Sequence, residues 1–407
     1  MNQLTEQEPA LVVEAPSPSD WQSGELLDFL ELQRGVDLPV QDRRGGSVPI
    51  FGSNGLLGFH DVSVSEGPGV ITGRSGTIGK VFYSQGEYWP LNTSLYVKDF
   101  KGNLPKFIYY MLGAIGLERF STGTGVPTLN RNVAHKEKVA FPPLDEQKKI
   151  AAILTAVDDK LDVIARQIEA TQTLKQGLMQ TLFSRGVGTQ DADGCWVPHA
   201  EFKDSELGEI PAAWTVRTLG SVTEEVRERN SGKLDDALLC GVLKDQGLVP
   251  MRERVKGATT ERCRVVSPGA FAYNPMRINI GSIARNLRDH SVMVSPDYVV
   301  FATRPGELLP GFLDHFRRSD EWQRFVGRSG DGGVRIRIYY DDLAQLRLKV
   351  PPLAEQMKVV EVLDCLTTKL NQLVVKRDEI QTLKRGLMQK LLTGEWRVNV
   401  DPSATGT

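Results

Sequence analysis

The stretch P-P-L-D-E-Q, from Pro142 to Gln147, opens a segment that the chain repeats near its other end. The first copy closes with Q-T-L-K-Q-G-L-M-Q at 172–180; the second runs from P-P-L-A-E-Q at Pro351 to Q-T-L-K-R-G-L-M-Q at 381–389. The offset is 209 residues at both ends (351 − 142 and 381 − 172), so nothing is inserted or deleted. Loops accept insertions cheaply, whereas a helix that loses one residue turns its apolar face by about 100°. The repeated unit is therefore predicted to be a helix.

Apolar residues recur in both copies mostly at spacings of three and four, which is typical of a coiled-coil seam. The predicted seam is Ile150, Leu154, Val157, Leu161, Ile164, Ile168, Leu174, Leu178 and Leu182, with Val359, Leu363, Leu366, Leu370, Leu373, Ile380, Leu383, Leu387 and Leu391 in the second copy. A helix with one apolar stripe needs a partner, and the other copy supplies it. We predict two long helices, 142–186 and 351–396, packed together. Gly177 and Gly386 match, so we expect two backbones to pass closely there.

Two globular regions precede the helices, and they resemble each other more loosely. Head 1 (20–141) and head 2 (208–350) both mix short apolar runs, turns and a helix, and a linker (187–207) precedes head 2. Trp21 matches Trp214, and the offset climbs from 193 there to 209 at the helices. The heads therefore carry insertions that the helices lack. The predicted fold class is α+β: two α/β heads and two long helices, duplicated about a pseudo-twofold.

Composition bounds the class of protein. A chain of 407 residues expects two or three domains, and its net charge of −2 gives no global sign of nucleic-acid binding. The segment 251–290 is nevertheless locally basic, with eight Lys and Arg against three acids, and local fields matter more than the sum. The four cysteines form no C-x-x-C pair, so neither a zinc site nor a disulfide framework is predicted, and a reducing cytoplasm fits.

The two ends of the sequence contain little to bury. We expect residues 1–19 to be a disordered acidic tail and 397–407 to be a C-terminal tail. The start lacks a basic region followed by a long apolar core, and no run of 18 apolar residues follows elsewhere. A soluble cytoplasmic protein is the expectation.

Two stretches that resemble catalytic motifs are incomplete. The stretch G-R-S-G-T-I-G-K-V from Gly73 has five residues between its outer glycines where a phosphate loop has four, and Val81 stands where Ser or Thr would bind magnesium. The run N-P-M-R at 274–277 lacks the second proline and the aromatic ring of an amino-methyltransferase motif. No catalytic residue and no metal site is predicted.

Other residues in the glycine-flanked loops have side chains suited to DNA. Arginine binds guanine through two hydrogen bonds, asparagine binds adenine, and lysine and serine hold phosphates. Any one of them alone is better explained as a surface ion pair or a turn cap, but as a set on two matching heads they favour DNA binding. The predicted contacts are Ser53, Asn54, Arg74, Ser75, Thr77, Lys80, Asn130 and Arg131 in head 1, and Asn274, Arg277, Asn279, Arg335 and Arg337 in head 2.

The motifs together resemble one known family. The doubled P-P-L-x-E-Q helix ending in T-L-K-x-G-L-M-Q, and the entry F-K-D-S-E-L-G-E-I-P-x-x-W at 202–214, are similar to the specificity subunit of Type I restriction–modification enzymes. The runs from Gly52 and from Val126 resemble target-recognition domains of that family. The resemblance covers nearly the whole chain except the acidic tail.

The resemblance implies a non-catalytic adaptor. Each target-recognition domain would bind one half of a split, asymmetric DNA site, and the two helices would pack antiparallel as the spacer. Two modification subunits would dock on the helices with S-adenosylmethionine, and restriction subunits would bring ATP and Mg, so this chain itself would hold no cofactor. The outer helix face is the candidate dock, with Val163, Phe183, Val375 and Leu392 as its apolar ridges.

Two other classes of function stay open on the sequence alone. The first is an enzyme, a methyltransferase or nuclease fused to its own specificity domain. The second is a scaffold whose heads bind protein. The salt dependence of DNA binding distinguishes the scaffold, because counterion release makes DNA affinity fall steeply with salt.

Overall fold

A computed structural model describes residues 18–122, 126–244, 246–251, 259–328 and 337–399. It divides into two compact units: unit 1 comprises 1–167 and 373–407, and unit 2 comprises 168–372. Each long helix therefore contributes one half to each unit. Arg335 and most of the acidic tail, for which the sequence made predictions, lie outside the described residues.

The elements alternate short strands with helices until each long helix begins. The strands before the first long helix are β1 (Gln22–Glu25), β2 (Glu31–Arg34), β3 (Val48–Gly52), β4 (Gly55–His60), β5 (Gly69–Gly73), β6 (Val81–Ser84), β7 (Trp89–Pro90), β8 (Ser94–Asp99), β9 (Ser121–Thr122), β10 (Thr128–Leu129) and β11 (Lys138–Phe141). Those after it are β12 (Thr189–Gln190), β13 (Trp196–Val197), β14 (Phe202–Lys203), β15 (Ile210–Pro211), β16 (Thr215–Thr218), β17 (Thr223–Glu225), β18 (Leu239–Leu243), β19 (Gly247–Pro250), β20 (Arg264–Val266), β21 (Phe271–Tyr273), β22 (Ile283–Arg285), β23 (Val292–Val294), β24 (Val299–Thr303) and β25 (Arg347–Val350). The helices are α1 (Leu26–Phe29), α2 (Pro105–Ile115), α3 (Arg131–Ala134), α4 (Leu144–Ser184), α5 (Leu219–Val222), α6 (Pro310–Phe316), α7 (Asp320–Arg328), α8 (Tyr340–Leu343) and α9 (Leu353–Leu392).

Head 1 is built on a four-stranded antiparallel sheet in the order β2-β8-β5-β6. A second sheet has the order β4-β3-β7, with β3 and β7 parallel. Strand β1 pairs with β11, which brings the entry and exit of the head side by side. Helix α2 buries Phe107 and Leu112 in a core that also contains Leu95 from the sheet and Ile150 and Leu154 from α4. The core thus joins the head to the helix.

Head 2 repeats this topology with one more strand, β20, in its second sheet. Its main sheet has the order β17-β24-β21-β22, its second sheet has the order β19-β18-β23-β20 with β18 and β23 parallel, and β16 pairs with β25. The α2 equivalent is α6, whose Phe312 and Phe316 pack with Phe183 of α4 and Val359 of α9. The predicted fold class, including the duplication, is confirmed.

Helices α4 and α9 pack antiparallel in each unit. In unit 1 the first half of α4 meets the last half of α9, and Lys384 Nζ lies 2.9 Å from Asp158 Oδ1. In unit 2 Lys175 Nζ donates to Thr367 Oγ1 at 2.7 Å. Asp158 and Thr367 occupy the same place in the two copies, as do Lys175 and Lys384, so these contacts are equivalent. Burial lowers the pKa of Lys175, and nearby Arg318 lowers it further.

The predicted seam is wrong at one position in each copy. Leu174 is 53% exposed and Leu383 is 55% exposed, whereas the neighbouring Lys175 and Lys384 turn inward. The six-residue step from Ile168 to Leu174 turns the helix by about 600°, which leaves the leucine well off the seam. Steps of three and four lead instead to residues 171 and 175. Polar side chains therefore occupy the seam where leucine was predicted.

The matched glycines are not sites of close backbone approach. A Cβ built on Gly177 or on Gly386 meets nothing within 4 Å, and both residues are exposed. The expectation that two backbones pass closely there is therefore wrong. A glycine inside a helix costs about 1 kcal/mol relative to alanine, and packing in this fold gives no reason for either one.

Candidate nucleic-acid interface

In head 1 the loop between β5 and β6 packs against the tip of the β3–β4 hairpin. Ser53 and Asn54 form that tip, and Gly73 starts the loop. A Cβ on Gly73 would lie 1.8 Å from the carbonyl oxygen of Thr77 and 3.0 Å from that of Ser53. Only glycine fits such an approach, and its presence brings the hairpin tip and the loop together.

The same loop is bonded to two other segments of head 1. The Arg74 amide donates to Thr93 O at 2.9 Å, and the Leu129 amide donates to Arg74 O at 2.8 Å. Ser75 forms a bridge with Thr128, next to the predicted residues 130 and 131. The sequence-predicted residues Ser53, Asn54, Arg74, Ser75, Thr77 and Lys80 therefore lie on connected loops. Asn54 is exposed, and the other five side chains are half-buried.

Asn130 and Arg131 have bonding partners within head 1. Asn130 Oδ1 accepts from the Asn132 amide at 3.0 Å and caps α3. Arg131 Nη1 donates to Leu32 O at 3.3 Å, although the residue as a whole is exposed. Both side chains therefore have a local structural role, whatever else they contact.

In head 2 the equivalent loop joins β21 to β22. Asn274 Oδ1 accepts from the Met276 amide at 3.0 Å, so Asn274 shapes the turn. Arg277 and Asn279 are exposed beyond it. The Ile338 amide donates to Pro275 O at 3.1 Å, which brings the segment containing Arg337 to the loop. The two heads thus present the same pair of segments.

A cavity of about 490 Å³ opens beside this loop in head 2. Its charged and aromatic lining comes from four separate parts of the sequence. Arg227 Nη2 lies 2.6 Å from Glu225 Oε2, and Arg264 Nη1 lies 3.9 Å from Glu225 Oε1. Two of the guanidinium groups therefore share one carboxylate. The residues around the cavity are Glu225, Arg227, Arg264, Pro275, Met276, Pro296, Asp297, Tyr298, Val299, Arg337, Tyr339, Tyr340 and Asp341.

The cavity combines cationic donors with aromatic surfaces. Tyr339 is 51% exposed at its edge. Tyr340 shares a hydrogen bond with the Thr223 hydroxyl at 2.9 Å, and burial raises the pKa of Tyr340, so its phenol stays neutral. Guanidinium groups bond to base edges or phosphates, and aromatic rings stack on bases. Three arginines and three carboxylates line the cavity, so the lining carries no net charge, and its arginines and the exposed Tyr339 are the groups that could contact a nucleic acid.

The sequence did not point to Arg227 or Glu225 as site residues. They sit in the charged run E-E-V-R-E-R at 224–229, which has no motif spacing. Only the pairing of β17 with β24 places that run beside Val299 and the cavity. Strand pairing over such a sequence separation has no local signal.

The predicted docking residues divide into two groups. Val163 is 38% exposed and Val375 is 56% exposed, as a surface role requires. Phe183 and Leu392 are only 6% and 2% exposed, and each lies in the core of its unit. The prediction that Phe183 and Leu392 lie on the outer helix face is therefore wrong. Exposed apolar residues on the two helices that the prediction did not include are Leu174 and Leu383, together with Leu144, Ile153, Leu353 and Met357.

Within the described ranges, no group of three or more His, Cys, Asp and Glu residues is placed to hold a metal ion. Nor does that part of the chain contain a helix with the length and apolar content to cross a bilayer.

Two heads with one topology, each presenting loops from the same strand connections beside paired long helices, define a duplicated recognition protein. Residues 18–172 match the family described as Type I restriction modification DNA specificity domain. The chain is 23% identical over 415 residues to the Type I restriction enzyme MjaVIII specificity subunit of Methanocaldococcus jannaschii, with 94% of each chain covered. It is 27% identical over 128 residues, 31% of each chain, to the EcoprrI specificity subunit of Escherichia coli.

The fold has a counterpart among solved structures. The Type I restriction–modification system S subunit from M. genitalium superposes with a TM-score of 0.59 at 16% identity, over 94% of this chain and 97% of that one. The likeness to specificity subunits that the motifs predicted thus covers residues 18–172 in the family match and 94% of the chain in the MjaVIII comparison.

Proposed function

We propose that this chain binds a two-part DNA site, with each head binding one half. The observation that carries the proposal is that equivalent loops in the two heads present unlike side chains. The loop between β5 and β6 in head 1 reads R-S-G-T-I-G-K at 74–80, whereas the equivalent loop of head 2 reads N-P-M-R-I-N-I-G-S at 274–282 and lies beside an aromatic cavity. Equivalent frames with different chemistry are suited to unlike half-sites.

The side chains suggest how each half is recognised. Arginine in the major groove favours guanine, and asparagine favours adenine. Main-chain groups and hydroxyls hold phosphates and set the position of the head on the duplex. Arg277 and Arg337 are the candidates for base contacts in head 2, and Asn54 is the candidate in head 1.

The chain itself acts without catalysis in this proposal. Methylation and cleavage belong to partner subunits, which hold S-adenosylmethionine, ATP and Mg. Two modification subunits and the restriction subunits are the expected partners, and the cytoplasm is the expected location. Methylation of DNA by the purified chain with S-adenosylmethionine alone would instead support the fused-enzyme alternative.

The exposed repeat on the long helices is the candidate seat for the modification subunits. Eight of nine residues are identical between 172–180 and 381–389, against only four of 24 between 148–171 and 357–380. Part of the matched surface is solvent-exposed, including Leu174 with Gly177, and Leu383 with Gly386. The missing side chain of each glycine leaves a notch beside an exposed leucine, and a helix of the partner can pack into that notch. Each leucine with its glycine notch is one candidate seat. Two identical seats suit two copies of one partner.

Glutamine at the notch is expected to remove one copy of the modification subunit. The Gly177→Gln change should reduce a two-copy complex to one copy, and adding Gly386→Gln should remove the second. Folding is not expected to suffer, because nothing lies within 4 Å of either Cβ and glutamine is favoured over glycine in helices by up to about 1 kcal/mol. Analytical ultracentrifugation with the modification subunit measures the copy number.

The size of the side chain distinguishes a seat from a flexible joint. Gly177→Ala adds one methyl group, so a seat predicts a smaller loss of binding than glutamine causes. If Gly177→Ala and Gly177→Gln weakened binding of the modification subunit equally, binding would depend on bending of the helix at Gly177 and not on the notch. Ala156→Gln, at an exposed position that differs between the two helix copies, is the matched control and should leave two copies bound.

Salt dependence tests the DNA-binding proposal against the scaffold alternative. The logarithm of the affinity of the full chain for duplex DNA should fall linearly with the logarithm of salt concentration. Arg337→Gln should weaken binding by about 1–3 kcal/mol if it contacts a base. Arg324→Gln, on exposed α7 of the same head, is the control and should change little. A flat salt response would favour the scaffold.

A further inference from the structure

The motif P-P-L-D-E-Q forms a buried joint between head 1 and α4. Gln147 is 2% exposed, and its Oε1 accepts from the Leu104 amide at 2.9 Å. Its Nε2 donates to Asn103 Oδ1 at 2.7 Å and to Pro142 O at 2.9 Å. The side-chain amide of Gln147 thus bonds both to the segment that precedes α2 and to the segment that precedes α4.

The second copy forms the same joint in unit 2. Gln356 is 1% exposed, and its Oε1 accepts from the Leu309 amide at 2.8 Å. Its Nε2 donates to Glu307 O at 3.1 Å and to Pro351 O at 2.9 Å. Leu309 precedes α6 as Leu104 precedes α2. Two of the three bonds are therefore equivalent in the two heads, while the third goes to the side chain of Asn103 in head 1 and to the main chain of Glu307 in head 2.

The neighbouring glutamates complete the joints with different partners. Glu146 accepts from Trp21 Nε1 at 3.2 Å and from Arg397 Nε at 2.8 Å. Glu355 accepts from Trp214 Nε1 at 2.7 Å and from the Val187 amide at 2.9 Å, and it lies 2.9 Å from His199 Nε2. Each carboxylate ties the start of the head to the segment that follows the other long helix.

A joint of this kind restricts how a head can rock on its helix. The glutamine bonds are buried and join backbone groups on both sides, so rocking would leave polar groups unsatisfied. Since consecutive bases along one DNA strand are about 3.4 Å apart, a head that rocks by a few ångströms can contact its half-site one base pair out of place.

We propose that Gln147 and Gln356 are positioning residues that set how strictly this chain enforces the gap between its two half-sites. The proposal rests on the proposed function. In this proposal neither Gln147 nor Gln356 contacts DNA. Each acts by holding its own head at one angle to the helix, with Glu146 and Glu355 supporting the same joint.

In vitro selection from random DNA tests the proposal, because it requires no assumption about the target bases. The full chain, in complex with its modification subunits, selects binders from a random duplex pool. Wild type should give one two-part motif with a single gap. Gln356→Met keeps the shape and removes the hydrogen bonds. It should retain the same bases while gaps one base pair longer or shorter rise at least about tenfold, the change expected for losing one hydrogen bond, because the methionine removes three.

The controls separate positioning from stability. Gln356→Glu keeps an acceptor for the Leu309 amide but turns an oxygen toward the carbonyls of Glu307 and Pro351, so it should also broaden the gap, and it serves as the test if the methionine variant does not fold. Gln180→Met, at an exposed site on α4, should leave the gap single. A single gap recovered at lower yield from a Gln356 variant, or a change in the bases, would overturn the proposal. Failure of wild type to select any two-part motif would instead refute the proposed function.

Discussion

Inserting one heptad into both long helices at facing positions is expected to lengthen the unread DNA gap by about three base pairs. Seven residues add about 10 Å of helix and turn it by nearly two full turns, which keeps the seam within about 20°. Insertion after Lys160 in α4 and after Gln381 in α9 preserves the pairing of Asp158 with Lys384. At about 3.4 Å per base pair, the added length corresponds to three pairs. Methylome sequencing measures the gap.

Insertion into one helix alone is the control. It shifts the apolar residues on one side of the insertion along the partner helix, so the two halves of the buried seam no longer face each other. The chain should therefore lose stability and activity. An insertion of four residues near Ile164 adds only about 6 Å, equivalent to one or two base pairs, and rotates the seam by about 40°. An unchanged gap in the heptad variant, or altered half-site bases, would contradict the proposed role of the helices.

Exchange of head 2 for the equivalent head of another specificity subunit is expected to replace one half-site and leave the other unchanged. The pairing of β16 with β25 brings residues 215 and 350 together, so the entry and exit of the head are neighbours. A segment whose ends are adjacent can be exchanged at 208 and 350 with little demand on the rest of the chain. The bases recognised at that half-site should be replaced completely, with no mixture of old and new.

The reciprocal exchange of residues 20–141 supplies the control. It should replace the other half-site only, because β1 and β11 close head 1 in the same way. Methylome sequencing of both hybrids gives the result directly. If either exchange altered both half-sites, the heads would not act independently.

Periodicity and duplication predicted the long helices well, because a gap-free repeat leaves few alternatives to a helix. The prediction went wrong where the seam became polar. Thr171 and Lys175 keep the spacing of three and four, but a search for apolar residues alone selects Leu174 instead. Phe183 illustrates a different difficulty. Its ring lies 5.3 Å from that of Phe312, a contact made by head 2 that the helix sequence does not contain.

The candidate DNA-binding loops were predictable in part. Glycines located the loop after Gly73, since the close approach of the Thr77 carbonyl demands glycine and leaves a sequence trace, whereas its equivalent near Asn274 was noticed through the N-P-M-R run. Arg227 was missed because the pairing of β17 with β24 brings it to the cavity from far away in the chain. The hydrogen bonds of Gln147 and Gln356 were equally invisible, although the repeated motif that contains both residues is plain in the sequence.

Methylome sequencing of a host that carries this chain with its modification subunits tests the central claim most directly. If each head binds its own half-site, as proposed, this chain should give one asymmetric motif, made of two unlike half-sites separated by a gap of constant length. Methylation of this motif should disappear when the gene for this chain is removed. A continuous motif, a palindrome, or methylation that persists without this chain would contradict the claim.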